Sequence, residues 1–561
     1  MMKRYVIGLD YGTDSARGLL VDAATGKEAA SAVAAYRRWG RGEYCDAEQA
    51  QFRQHPLDYI EALDAILCEL RRQAPEAFAE VAAIAVDTTS STPCLVDCQM
   101  RPLSLAEEFA DDPDAMFVLW KDHTAEREAA EINRLCRQGD LCYSMFSGNH
   151  YSSEGYWAKV AHVVRRNPRL SDRAYAAIEQ CDFIAALLAG ADSMGKMRLG
   201  HCAAASKAMW SERWGGYPPR EFFERLEPRT VALAEHLPHD NYTSDQLFGT
   251  ISAEVADRYG LSEEVRVAVG MIDAHAGAVG AGIRPGRMAL NLGTSACHMA
   301  VMEPEKLGDR IIADVFGQVD GSIIPSLVGF ETGMSAFGDL YAWLRRLLMF
   351  PVDNILCKSR TVDAATREAL RRECEQEMLA ELGRQAEAIV LRDDSPFATD
   401  WVNGRRTPAP DERLWSSVMG LTLSTGAADI YLALVEAAAF ATKAIIDHLA
   451  ANGVEIDELV AIGGISRKSP LTMQMLADVL GRRVDVSAST QACAMGSVIM
   501  AAVAGGFYSS VEQAQQALCP PVERSYQPQQ ERHALLMRRY EKYRAAAIFT
   551  EKLVNQEPYS K

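Results

Sequence analysis

No stretch of this chain runs apolar for the roughly 20 residues that a membrane-crossing helix needs. The longest tempting run, "VIMAAVAGGF" at 498–507, is broken by glycines and reads as a packed helix end. Glycine-rich loops of the Walker or dinucleotide-binding type are missing too, which removes the commonest nucleotide motifs. Positive charge is in deficit: 58 basic residues stand against 76 acidic ones, a net charge of −18, and no nucleic-acid backbone is drawn to such a surface. An anionic ligand must then be held locally, by turns, helix N-termini or metal. The cysteines form no framework. Thirteen of them at irregular spacings argue against a disulfide-stapled secreted fold and for a reducing cytoplasm, with the thiols acting as small core residues. Cys94 and Cys98 lack a second pair, and His201-Cys202 and Cys297-His298 are isolated, so four zinc ligands do not converge. The chain opens directly on the strand "YVIGLD", which predicts no cleaved leader.

What is present is a phrase written twice. "IGLDYGTDSARGLLV" at 7–21 and "MALNLGTSACHMAV" at 288–301 each read as apolar strand, acidic or amide residue, Gly-Thr, small polar residues, second strand. A Gly-Thr turn between buried strands exposes backbone N–H groups and keeps Cβ atoms away, which suits a phosphate oxygen. Behind each copy lies a second echo, "EVAAIAVDTTSSTP" at 80–93 and "ELVAIGGISRKSP" at 458–470. At 561 residues and 48% hydrophobic content the chain can fill two cores, so the echoes imply a duplicated α/β domain. The copies differ where chemistry would: Asp10 in the first is Asn291 in the second, so one side alone carries a carboxylate able to attract Mg²⁺.

Residues 5–36 predict a hairpin plus a third strand, and Tyr59, Ile60, Leu63, Ile66, Leu67 and Leu70 recur at helical spacing ahead of a strand at 81–86. A loop-rich, aromatic-rich tract over 100–160 has the look of a binding insertion. A boundary near 255–265 divides an N-terminal domain, 1–260, from a C-terminal one, 261–561. Leu370, Cys374, Met378 and Leu382 step by four in a helical insert, a lid or an interface, and 529–554 reads as a surface helix packed back on the body. Asp273, between the strand "VRVAVG" and the small-residue run "AHAGAVGAG", is taken alone an ordinary helix-start carboxylate. Asp10 alone is a turn former and Gly463-Gly464 alone a turn.

Taken together, "GLDYGTDS", "VDTTSSTP", "MFVLWKDHTA", "YSSEGYWAK", "WGGYPP", "GMIDAHAGAVGAG", "GTS", "GQVDGSIIP", "FETGMSAFGDLYAW", "WVNGRRTP" and "AIGGISRK" carry, in that order from the first strand past residue 500, a resemblance to the FGGY family of carbohydrate kinases. The resemblance implies two ribonuclease H-like domains of the actin, hexokinase and heat-shock 70 superfamily around a central cleft. It implies ATP-dependent phosphorylation of a ketopentose at its terminal hydroxyl, L-ribulose foremost and so a step of L-arabinose catabolism, with D-ribulose and D-xylulose as alternatives. A non-catalytic sugar or nucleotide sensor on the same fold is the more distant alternative. Asp273 is implied as general base, and Asp10 and Asp273 as the Mg²⁺ carboxylates. Gly12, Thr13, Arg17, Gly293, Thr294 and Ser295 are implied at the phosphates, with Gly338, Gly463, Gly464 and Lys468 on the adenosine side; Arg17 is equally readable as a solvated strand residue. For the sugar the implied contacts are Ser90, Ser91, Trp120, Asp122, Lys207 and Glu331. Bland readings stand beside three of these: Trp120 as core aromatic, Lys207 as surface cation, Glu331 as helix cap. Gly155 replaces a bulky aromatic common in the related sequences, and either widens a pocket or weakens a helix start by about 1 kcal/mol. The partner expected is a small molecule rather than nucleic acid or membrane, and a homodimer follows by resemblance only.

Overall fold

The computed structural model describes residues 4–139 and 141–556. Its chain divides into two compact units. The first combines Met1–Pro285, Met299–Phe330 and Ser489–Pro521.

At its centre lies the strand Tyr5–Tyr11, buried at every position but the first, as its apolar run requires of a strand covered on both faces. It pairs antiparallel with Ser15–Asp22, which pairs antiparallel with Glu28–Ala35, giving the hairpin and third strand that the sequence predicts. On its other side runs Val81–Thr88, parallel and buried throughout. Arg266–Ala268 and Met271–Ile272 then add in parallel to Val81–Thr88. The periodic segment after residue 55 is the helix Pro56–Gln73, entered through a proline at its first turn and capped by His55, whose Nδ1 accepts the Leu57 N–H at 3.1 Å. Tyr59, Leu63, Ile66, Leu67 and Leu70 form its buried face.

The helix Ala492–Ala504 packs against the central strand and against the helix Asp273–Gly280, and it can do so because the contacts lack side chains. A Cβ built on Gly8 would lie 2.1 Å from the Ala494 carbonyl oxygen, and one on Gly496 would lie 1.9 Å from that of Ala276. The glycine-broken run at 498–507 is therefore the end of this packed helix, as its composition suggests.

The second unit combines Gly286–His298, Glu331–Ala488 and Val522–Lys561. Here Gly286–Leu292 lies parallel to Ile456–Ile462, which lies parallel to Val484–Ser487, edged antiparallel by Val522–Tyr526. The arrangement repeats that of the first unit: a strand leading to a Gly-Thr turn, with the second echo as its parallel neighbour. The predicted insert forms the helix Ala364–Glu387, with Leu382 and Ala386 buried and Leu370, Cys374 and Met378 half-buried. The helix Gln530–Gln556 is anchored by Arg539, wholly buried, whose guanidinium donates twice to Glu436 at 2.5 and 2.6 Å and also to the carbonyls of Arg392, Ser395 and Pro396. Such a bidentate, hydrogen-bonded pair is the form in which a buried charge is tolerated.

Candidate active site

Three carboxylates converge in the first unit where parallel strands end. Asp10 and Asp87 are register partners on Tyr5–Tyr11 and Val81–Thr88. Met271 pairs with Asp87 and Ile272 with Thr88, so Asp273, the next residue, leaves the sheet at the same edge and begins the helix Asp273–Gly280. Carboxyl ends of parallel strands are where α/β sheets collect their ligands. The Asp273 Oδ1 accepts the Ala274 N–H at 2.6 Å, holding the carboxylate at the positive end of its helix.

Asp10 Oδ2 accepts from Arg17 Nη1 at 2.9 Å. Asp87 Oδ2 accepts from Ser497 Oγ at 2.6 Å, while its Oδ1 is buried and meets no donor. Ligand atoms of Asp10, Asp87 and Cys493 all lie within 4.8 Å of one another. Burial pushes the Asp87 carboxyl well above the usual carboxylate range, and Asp10 beside it pushes further. Asp10 is raised by burial with Arg17 opposing, so of the two Asp87 keeps the proton. Burial likewise holds the Cys493 thiol neutral. The Asp10 carboxylate, with a protonated Asp87 and an uncharged thiol beside it, suits a hard, oxygen-seeking cation such as Mg²⁺ and not zinc.

The Gly12-Thr13 turn is closed by a bond from Gly12 N–H to the Ser15 carbonyl at 3.1 Å. A Cβ on Gly12 would come no nearer than 3.4 Å to any other atom, so folding alone does not require glycine there; what it leaves is room above the turn. Thr13 Oγ1 accepts the Trp120 indole N–H at 3.0 Å, which joins a residue expected at the phosphates to one expected at the sugar.

The Ser90 hydroxyl is buried without a partner. The Ser91 hydroxyl donates to Glu179 Oε1 at 3.2 Å. Asp122 is fully buried and all its acceptor capacity is used: Oδ2 takes the Phe52 N–H at 2.7 Å and a contact with Arg53 Nη1, Oδ1 takes Thr124 N–H at 3.1 Å and Thr124 Oγ1 at 2.5 Å. Lys207 is buried at the end of the helix His201–Lys207, its ammonium 4.8 Å from the Phe316 ring centre. The Gly155 position is not open: a Cβ there would lie 2.3 Å from the Tyr151 ring, whose hydroxyl donates to the Lys207 carbonyl at 2.5 Å.

In the second unit Gly293 N–H bonds the Ser295 carbonyl at 3.0 Å, repeating the first turn, and Thr294 is exposed. Gly338 opens the helix Gly338–Leu348 by donating its N–H to the Gly293 carbonyl at 3.0 Å, and a Cβ there would lie 2.8 Å from that oxygen, so packing alone demands this glycine. Gly463 has φ +90° and would bring a Cβ to 2.6 Å from the Leu292 carbonyl oxygen. Gly464 faces open space and Lys468 is exposed. Glu331 is buried in the strand Val328–Met334.

Asp87, Ser497 and Lys159 escape the sequence reading although the first and last stand inside quoted phrases. Asp87 could have been found: it takes the step beside Asp10 on the neighbouring strand.

Residues 288–505 match the family model for the C-terminal domain of FGGY carbohydrate kinases. Over 553 residues the chain is 41% identical to a protein from Vibrio parahaemolyticus named Ribulokinase, covering 98% of this chain and 97% of that one. A Ribulokinase from Halalkalibacterium halodurans is 33% identical over 558 residues, covering 97% and 94%. In fold it is similar to the crystal structure of xylulose kinase from Rhodospirillum rubrum, with TM-score 0.75, 20% identity and coverage of 99% and 100%. Two sheet-rich α/β units with a repeated strand–turn–strand core are the actin and hexokinase-like fold. The chain belongs to the FGGY family of carbohydrate kinases.

Proposed function

We propose that this ATP-dependent sugar kinase phosphorylates the terminal hydroxyl of L-ribulose, giving L-ribulose 5-phosphate. The observation that carries the chemistry is Asp273 at a helix start beside Asp10 and Asp87, on the edge where three parallel strands end. The choice of sugar rests on relatives named Ribulokinase that match nearly end to end.

Asp273 takes the proton of the sugar hydroxyl as its oxygen bonds to the γ-phosphorus, and the bond to the bridging oxygen breaks with its electron pair leaving on ADP. Gly12, Thr13, Gly293, Thr294 and Ser295 supply backbone and hydroxyl donors to phosphate oxygens; Gly463, Gly464 and Lys468 lie toward adenosine, with Gly338 supporting the second turn. Asp10 and Asp273 would hold Mg²⁺, which when bound supplies charge neutralisation across the phosphates. Arg17 orients Asp10, and protonated Asp87 braces it from behind. Trp120, Ser90, Ser91, Lys207 and Glu331 meet the sugar, whereas Asp122 has both oxygens taken by donors of Phe52, Arg53 and Thr124. Thirteen cysteines with no disulfide among the described residues fit a reducing cytoplasm.

ADP release with L-ribulose, D-ribulose, D-xylulose and glycerol tests the reading. The highest kcat/KM is expected on L-ribulose, and a preference for another sugar overturns the substrate. Asp273→Asn should keep sugar binding and lower kcat by about 10² to 10⁴; an active variant removes Asp273 as the base.

A further inference from the structure

Lys159 is a buried lysine, 1% exposed, in the helix Tyr156–Arg166. Burying an ammonium is costly unless every proton finds an acceptor. Here its Nζ donates to three backbone carbonyls, Ser91 at 2.7 Å, Leu119 at 2.8 Å and Trp120 at 3.2 Å. These acceptors sit on two separate segments, Ser90–Thr92 and Leu119–Trp120. A side chain needed only to fill the space would be apolar, since an apolar group carries no such burial cost. Glu179, also buried, completes the clasp: Oε2 accepts the Thr92 N–H at 2.8 Å and Oε1 the Ser91 hydroxyl at 3.2 Å.

We propose that Lys159, backed by Glu179, is a positioning residue that locks the Ser90–Ser91 and Trp120 segments into one geometry and thereby sets sugar affinity without touching the sugar. This rests on the reading of Ser90, Ser91 and Trp120 as sugar contacts.

The clasp also has a proton switch. Burial lowers the Lys159 ammonium to about 7, opposed by Glu154 before its helix and Glu179 at the end of the strand Ala176–Glu179, and reinforced by Arg53 and Lys207. An ammonium has three N–H donors and a neutral amine two. Above its titration one carbonyl loses its donor and the two segments loosen. Sugar binding, which needs them fixed, favours the protonated form and must weaken as pH rises through that range.

The test is L-ribulose binding by calorimetry without nucleotide, for the wild type, Lys159→Met and Trp120→Ala, with circular dichroism and melting to check folding. Lys159→Met should weaken L-ribulose by about tenfold while the KM for ATP moves less than about twofold. Wild-type affinity should fall between about pH 6 and about pH 9, and that dependence should vanish in Lys159→Met. A folded Lys159→Met with wild-type affinity and pH profile overturns the proposal. Should that variant not fold, a flat wild-type profile overturns it. If Trp120→Ala binds L-ribulose normally, the sugar-contact reading falls and the clasp with it; if Trp120→Ala loses affinity and Lys159→Met does not, the clasp alone is wrong.

Discussion

Tyr151 links Gly155 to Lys207. Its ring fills the space that a Cβ on Gly155 would need, and its hydroxyl both donates to the Lys207 carbonyl and accepts the Trp157 N–H at 3.0 Å. Gly155→Ala should therefore push Tyr151 and shift Lys207, raising the sugar KM by about three- to tenfold with the ATP KM unchanged, since overpacking costs about 1–3 kcal/mol. Steady-state kinetics with each substrate varied in turn checks it. The same residue shows what single-residue reading can reach. Sequence leaves Gly155 between a wider pocket and a looser helix start, because neither reading sees which side chain from four residues earlier turns into the gap. The place of Asp10 at a strand end and of Asp273 at a helix start is legible because their strand and turn context is local, and for Asp10 repeated. Lys159 is not, since "YWAK" reads as one turn of amphipathic helix and its acceptors lie 40 and 68 positions away.

The elements themselves were largely written in the pattern of apolar residues. The first hairpin, the helix after residue 55 and the insert helix follow from periodicity alone, as the buried faces of Pro56–Gln73 and Ala364–Glu387 show. What periodicity cannot give is partnership: nothing in "ACAMGSVIMAAVA" says that this helix lies against Tyr5–Tyr11 and Asp273–Gly280. Its small residues are the one hint, and they act through distance. A Cβ on Gly496 would sit 1.9 Å from the Ala276 carbonyl oxygen, in backbone that has no softer end to yield. Gly496→Ala is expected to destabilise by about 1–3 kcal/mol and to lower kcat as well, because the helix it displaces begins with Asp273. Thermal melting together with turnover at saturating substrates measures both, and an unchanged melting temperature would count against so tight a contact.

Across the whole molecule, burial shifts several acids toward the neutral form instead of leaving each to an ion pair. Burial raises Asp182 to about 8 and Asp400 to about 6. A carboxyl raised in the folded state contributes stability that is present in full below its unfolded value and is lost as pH rises through the folded one. Melting temperature should fall between about pH 4 and about pH 8, and Asp182→Asn, which keeps the acceptor for the Gly200 N–H at 2.8 Å, should flatten that fall. His298 works the other way: burial lowers it to about 4, so its contribution is present above its unfolded value and fades as pH drops through the folded one.

The segment Ser489–Pro521 belongs to a unit whose central strand begins at residue 5. On the ribosome this sets an order of events. The strand carrying Asp10 and the helix carrying Asp273 are made first, and the small-residue face that covers both follows some 480 residues after the strand, counting from Tyr11 to Ala492, and some 210 after the helix, counting from Gly280. Until then a nascent chain holds the acidic edge of its first sheet without that cover, and the unit is completed only once Ser489–Pro521 has been made.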